Sequence, residues 1–410
     1  MKYVIIIPDG AADGPLNELD GLTPFEAASK PFTDALAREG RVGTVATTPE
    51  GMGCGSDICC MSLLGYDPVL YHTGRAPLEA AALGIELDPA DWVFRLNIVT
   101  VIEQMMQDHS AGHITSDEGR RLLEDFAATI DVPDLLLYPG VSYRNIMVDV
   151  SGRADATGAA RDWSKLETTP PHDIPGEPIQ RHLPRGPVHA KVLVDMIERS
   201  GALFEDHEIN HTRRELGEMP ATHIWPWGEG RRPSMEHFEQ RFGLKGAMIT
   251  AVDLLAGISQ FIGWDRLDVP GQTSYHDNDY AAAGQHAIAA LHDYDVVCVH
   301  VEAPDEAAHA ADASTKVAAI EAIDAHIVGP VHAALEAGFQ DQWRVLYLPD
   351  HYTRCDTRKH DPHPVPFMIA GRNMRGLVPR KFTESDAEQS DLHVAYGHEL
   401  MEYFLFGALK

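Results

Sequence analysis

Runs of apolar residues along this chain are short, rich in β-branched side chains, and cut off by Gly, Pro or Asp. Four of them organise the reading: Tyr3 to Ile7, Asp295 to Val301, Val345 to Leu348 and Val365 to Ile369. Uninterrupted apolar runs of this length fit strands buried on both faces, and longer stretches with helical periodicity lie between them. The pattern predicts an α/β fold around a mostly parallel sheet flanked by helices. Ile58 to Leu64 predicts a helix whose start is capped by Ser56-Asp57, and Gly246 to Gly263 predicts a buried helix. Between about 87 and 224 the texture changes. A polar stretch, Asp108-His-Ser-Ala-Gly-His113, and a Pro-rich loop, Thr168-Thr-Pro-Pro-His-Asp-Ile-Pro-Gly176, interrupt the alternation. This predicts three segments, a core at 1–86, an inserted α+β domain at 87–224, and the rest of the core at 225–410.

The same pattern places candidate chemistry. Tyr3 to Ile7 runs into Pro8-Asp9, Asp295 to Val301 into Glu302-Ala-Pro-Asp305, and Val345 to Leu348 into Pro349-Asp350-His351. In open α/β sheets the reactive groups gather at the carboxyl ends of strands, and here the first three of the four runs each deliver an acid there. Asp305 and His309, four residues apart, share one face of a helix, a spacing suited to a metal ion. An isolated pair of this kind more often reads as a surface acid and a helix-stabilising His, and Pro8-Asp9-Gly10 alone reads as a turn. Ser56 follows Gly51-Met-Gly-Cys-Gly55, where the backbone can approach a ligand closely, and a serine at a helix start also suits a phosphate. His360 and His363 are both within reach of Asp350-His351 in sequence, and spacing does not rank them. Carboxylates, imidazoles and one hydroxyl suit a pair of ions such as Mn²⁺ or Zn²⁺ better than Ca²⁺.

Composition narrows the partners. With 62 acidic and 33 basic residues the formal charge is -29, which disfavours a nucleic acid or an anionic membrane as partner. The apolar run at the N-terminus is too short for a signal-peptide core, and the run near Met248 to Trp264 is broken by Asp253 and glycines. Five cysteines in 410 residues point to reduced thiols and a cytoplasmic location. The chain carries no Walker A loop, no kinase Gly-rich loop and no G-x-S-x-G elbow.

Taken together, the motifs resemble the archaeal-type, 2,3-bisphosphoglycerate-independent phosphoglycerate mutases of the alkaline phosphatase superfamily. The resemblance rests on Pro8-Asp-Gly-Ala-Ala-Asp-Gly14, Gly55-Ser-Asp57, Met61-Ser-Leu-Leu-Gly-Tyr-Asp-Pro68, Thr73-Gly-Arg-Ala-Pro-Leu-Glu79, Phe94-Arg-Leu-Asn97, Ile224-Trp-Pro-Trp-Gly228, Gly243-Leu-Lys-Gly246, His300-Val-Glu-Ala-Pro-Asp305 and Pro364-Val-Pro-Phe367. It extends over nearly the whole chain. It implies a phosphatase-like core with an inserted domain, and substrate bound between the two. It further implies that Ser56 is a nucleophile that becomes phosphoserine, that Asp9, Ser56, Asp350 and His351 hold one divalent ion, and that Asp305, His309 and His360 hold the other. His360 is preferred to His363 because the family's ligand stands four residues before Pro-Val-Pro-Phe. Arg95, Arg144 and Lys245 would grip phosphate or carboxylate of a small phosphorylated substrate. The implied reaction interconverts 3- and 2-phosphoglycerate in glycolysis without 2,3-bisphosphoglycerate. Relatives commonly read Ser-Asp-Val-Ala-Asn where this chain has Ser56-Asp-Ile-Cys-Cys60, and Asp-His-x-Thr-Pro where it has Asp350-His-Tyr-Thr-Arg354. Asp108 to His113 is similar to a bacterial branch proposed to contain homoserine kinases, which gives the alternative, a small-molecule phosphotransferase on the same two-metal site.

Overall fold

The computed structural model describes residues 1–407. The chain divides into two compact units, Met1–His72 with Met235–Lys410, and Thr73–Ser234. The first unit is built on an eight-stranded sheet. In spatial order its strands are His393–Val394, Arg41–Val45, Val365–Gly371, Trp343–Tyr347, Lys2–Pro8, Val296–Val301, Gly246–Ile249 and Asp265–Arg266. Lys2–Pro8 lies at the centre, parallel to both Val296–Val301 and Trp343–Tyr347. Val365–Gly371 runs antiparallel to its two neighbours. Val4 to Ile7 are almost completely buried, as a strand covered on both faces requires.

Two sequence expectations change here. Gly246 to Gly263 is not one helix: Gly246–Ile249 is a strand paired in parallel with Val296–Val301, and the helix spans only Asp253–Phe261. A four-residue apolar run carries no period that separates helix from strand, and the indole of Trp264 fills the space a side chain at residue 246 would need. The expected insert at 87–224 also differs from the second unit, Thr73–Ser234. Helix Arg75–Ala82 belongs there because Glu79 pairs with Arg95 at 3.0 Å. Strand His223–Arg231 runs across the expected boundary while pairing with Trp92–Ile102.

The second unit has its own antiparallel sheet of Trp92–Ile102, Met105–Asp108, Arg144–Asp149, Leu135–Tyr138 and His223–Arg231. One face packs Phe94, Leu96, Ile98 and Met147 against helices Ser116–Ala127 and Ala190–Glu205. On Trp92–Ile102 these core residues alternate with Arg95 and Asn97, which therefore point to the other face. Among the described residues no helix is long and apolar enough to cross a membrane.

Candidate metal centre and nucleophile

Three strand ends converge in the first unit. Asp9 follows Lys2–Pro8, Asp350-His351 follows Trp343–Tyr347, and Asp305 lies in the first turn of helix Ala303–His309, which begins two residues beyond Val296–Val301. Pro304 suits that first turn, since its missing N–H has no partner to lose. Ser56 opens helix Ser56–Leu63 as its first residue, so Gly55 and not the expected Ser56-Asp57 holds the cap position, and His360 lies on the short strand Lys359–Asp361, opposite Thr353 in a hairpin. Asp9, Asp350 and His351 are fully buried and Asp305 nearly so.

Ser56 Oγ lies 3.2 Å from Asp9 Oδ2 and 3.2 Å from His351 Nε2. His351 Nε2 is 3.3 Å from Asp350 Oδ2 and 3.5 Å from Asp9 Oδ1. On the other side, Asp305 faces His309 at 3.2 Å and His360 at 3.5 Å. The rings of His351 and His360 stack with centroids 4.0 Å apart, so the two halves adjoin. Two sets of side chains offer ligand atoms that mutually converge, Asp9 with Asp350 and His351, and Asp305 with His351 and His360. All seven residues singled out in the sequence thus lie in one cluster. His351 touches both halves, where one was expected for it. His363 lies outside, exposed and bonded to Glu388 at 3.2 Å.

Two features show that the cluster suits cations. Asp9 Oδ1 is buried without a hydrogen-bond donor. His309 Nδ1 and His360 Nδ1 each face a backbone carbonyl, Arg358 O at 3.0 Å and Cys54 O at 3.1 Å, so each Nδ1 must carry the proton. Their Nε2 atoms then point lone pairs at each other across 3.0 Å. A divalent ion resolves that conflict, and the carbonyl contacts are the orienting partners metal-bound imidazoles normally have. Without an ion, protons must serve. Burial, reinforced by the charges of Asp350 and Asp305, pushes Asp9 well above the usual carboxylate range. Burial works against a charged His360, yet Asp305 beside it draws the imidazole up to about 9.

Sequence reasoning missed four contributors. His300, the next-to-last residue of its strand, reaches Asp9 Oδ2 with Nε2 at 2.9 Å. Burial drops it to about 4, so it is neutral and donates to Asp9. The Thr353 hydroxyl donates to Asp305 and lies 3.1 Å from His351 Nδ1. Gly10 has φ +58 and donates its N–H to Asp350 at 3.1 Å; a methyl there would collide with Asp305 and Thr353. The Cys60 thiol donates to Asp350 Oδ2 at 3.5 Å. His300 carried a sequence signal, an imidazole inside an otherwise apolar strand, and Gly10 lay within the Pro8-Asp9-Gly10 turn signature.

The three basic candidates fare differently. Arg95 is half-buried, pairs with Glu79, and stacks its guanidinium 4.0 Å from the Trp227 ring centroid. Arg144 is paired in register with Asn97, and its charge, with those of Arg95 and Arg75, acts on the Glu79 carboxyl, to which Arg95 is bonded. Arg75 was not singled out in the sequence, because residues 75, 95 and 144 share no local motif. Lys245 is not brought to the metal cluster. It precedes Gly246–Ile249 at the amino ends of the strands, with Nζ 3.8 Å from Asp265 and 4.6 Å from the Tyr294 ring centroid. The candidate ligands sit at the carboxyl ends, about six residues or ~20 Å further along.

Comparison with known proteins agrees with these motifs. The family model described as 2,3-bisphosphoglycerate-independent phosphoglycerate mutase matches residues 37–210. A protein of that name from Methanothrix thermoacetophila is 46% identical over 99% of this chain and 100% of its own length. One named as a probable mutase of the same kind from Geobacter sulfurreducens is 41% identical, over 99% of this chain and 100% of its own. Among solved structures, the cofactor-independent phosphoglycerate mutase of Thermoplasma acidophilum shares the fold, with a TM-score of 0.68 and 24% identity over 99% of each chain.

Proposed function

Because the chain belongs to the family of 2,3-bisphosphoglycerate-independent phosphoglycerate mutases, we propose that Ser56 is its nucleophile, flanked by two divalent-ion sites. Its activity is that of a phosphoglycerate mutase, an isomerase that interconverts 3- and 2-phosphoglycerate without 2,3-bisphosphoglycerate. Asp9, Ser56, Asp350 and His351 would hold one ion and Asp305, His309 and His360 the other, with manganese or zinc the best match to this donor set. Such ions supply positive charge against phosphoryl oxygens and lower the pKa of a bound hydroxyl.

The protein's own groups set the geometry. Ser56 Oγ attacks the phosphorus of 3-phosphoglycerate, a P–O bond forms to serine, and the bond to the 3-oxygen of glycerate breaks. The serine proton leaves along the hydrogen bond to Asp9 Oδ2, and the 3-oxygen takes up a proton as it departs. The 2-hydroxyl of the same glycerate then attacks phosphoserine: a P–O bond forms to the 2-oxygen as the 2-hydroxyl gives up its proton, the bond to Ser56 Oγ breaks, and Ser56 takes back the proton passed to Asp9. Arg95 and Arg144 would hold the carboxylate or phosphate, Arg95 with its plane already fixed against Trp227. Arg95 must exchange part of its pairing with Glu79 for the ligand. A cytoplasmic location fits the five free thiols and the small phosphorylated substrate.

The observation that carries the reading is Ser56 Oγ within 3.2 Å of both Asp9 and His351. The homoserine kinase alternative gains no support from the relatives, which are named as mutases. Metal-loaded protein should convert 3- to 2-phosphoglycerate with no bisphosphate and no nucleotide present. Release of inorganic phosphate alone, or turnover only with ATP and homoserine, would reject it.

A further inference from the structure

Lys316, in the first turn of helix Ala313–Ile323, is completely buried. An ammonium has three hydrogens to donate, and burying it is tolerable only if all are accepted. Its acceptors are Thr353 O at 2.7 Å, Asp13 Oδ2 at 3.1 Å and Ala12 O at 3.3 Å. A lysine that merely neutralised Asp13 would need one of these. The other two are backbone carbonyls, and both belong to segments that carry proposed metal ligands. Ala12 is three residues beyond Asp9. Thr353 is two beyond His351, pairs with His360 across the hairpin, and donates its hydroxyl to Asp305. Asp13 extends the link, accepting from the N–H groups of Gly14 at 2.8 Å and Cys355 at 3.0 Å. Helix Ala313–Ile323 itself follows Ala303–His309, which bears Asp305 and His309.

One buried charge therefore joins three segments that are far apart in sequence and that carry six of the seven site residues. We infer that Lys316 is a positioning residue that fixes the separation of the loops bearing Asp9 and His351, so that both ion sites are arranged before any ion binds. The inference rests on the two-ion reading above.

The test uses the full-length double variant Lys316→Met, Asp13→Asn, which removes the ammonium and its partner together and leaves no lone buried charge. Manganese is titrated into metal-free wild type and variant, and the KM for 3-phosphoglycerate is measured at saturating manganese. The expected result is manganese affinity weaker by about tenfold or more, with KM within about twofold, because partners that orient ligands act on the metal. A purely structural role would lower the thermal midpoint and leave the metal titration where it was, and that result overturns the inference. Should the variant not fold, hydrogen exchange in metal-free wild type decides. The amides of Gly14 and Cys355 are expected to be protected before manganese is added. Free exchange that stops only with manganese would mean that the ions order these loops, and Lys316 does not. Wild type that binds no manganese would instead reject the two-ion reading itself.

Discussion

Glu384 offers a quantitative test of the buried network beneath the proposed metal centre. Its carboxyl is almost wholly buried at the start of helix Glu384–Glu388, accepting from Thr23 Oγ1 at 2.6 Å and from the Asp13 N–H at 3.2 Å. Burial pushes it up from 4.5 to about 7, against the pull of those two donors and Lys316. The folded protein therefore holds a proton that the unfolded chain releases between pH 4.5 and 7, and the contribution of this carboxyl to stability falls as pH rises through that window. A shift of roughly 2.5 units corresponds to at most ~3 kcal/mol. Glu384→Gln keeps an acceptor for Asp13 and a polar contact for Thr23 but cannot ionise. Urea denaturation at several pH values should show the variant close to wild type near pH 4.5 and more stable by about 2–3 kcal/mol at pH 8. A stability difference that is flat with pH, or that favours wild type at pH 8, would refute the reasoning.

Other predictions bear on the site. Ser56→Ala should lower mutase turnover by ~10³-fold or more while manganese still binds, because six other ligands remain; retained turnover would overturn the nucleophile. His360→Ala should weaken manganese binding by more than the roughly 10–100-fold typical of orienting partners, whereas exposed His363→Ala should change it less than about twofold. Equal effects in a metal titration would contradict the choice of His360. Arg95→Ala should cost roughly 10–100-fold in kcat/KM for 3-phosphoglycerate, the worth of one charged hydrogen bond, with metal affinity unchanged. Gly10→Ala should impair metal binding through collision with Asp305 and Thr353, which a folded variant with normal manganese stoichiometry and affinity would disprove.

Much of the centre was legible because its parts are tied to strand ends. Asp9, Asp305 and Asp350 each stand just after an apolar run, and the parallel sheet brings such positions together whatever lies between them in sequence. Where the contact depends on three-dimensional packing, the sequence was silent. Thr353, Cys60 and Gly10 are ordinary residues until the hairpin, helix Ser56–Leu63 and the loop after Lys2–Pro8 meet around Asp305 and Asp350. Lys245 was misplaced for the opposite reason. Its motif marks a strand, but a residue before a parallel strand sits at the wrong end of the sheet. The domain boundary moved because helix Arg75–Ala82 is held by the Glu79–Arg95 pair, a contact that spans 16 residues and has no periodic signature.

The central claim is that phosphate passes through Ser56. Metal-loaded protein, mixed rapidly with 3-phosphoglycerate carrying radiolabelled phosphate and quenched in acid during turnover, should yield label on the peptide containing Ser56, lost again on the timescale of 2-phosphoglycerate formation. Turnover with no label on that peptide, or with label on another residue, would contradict it.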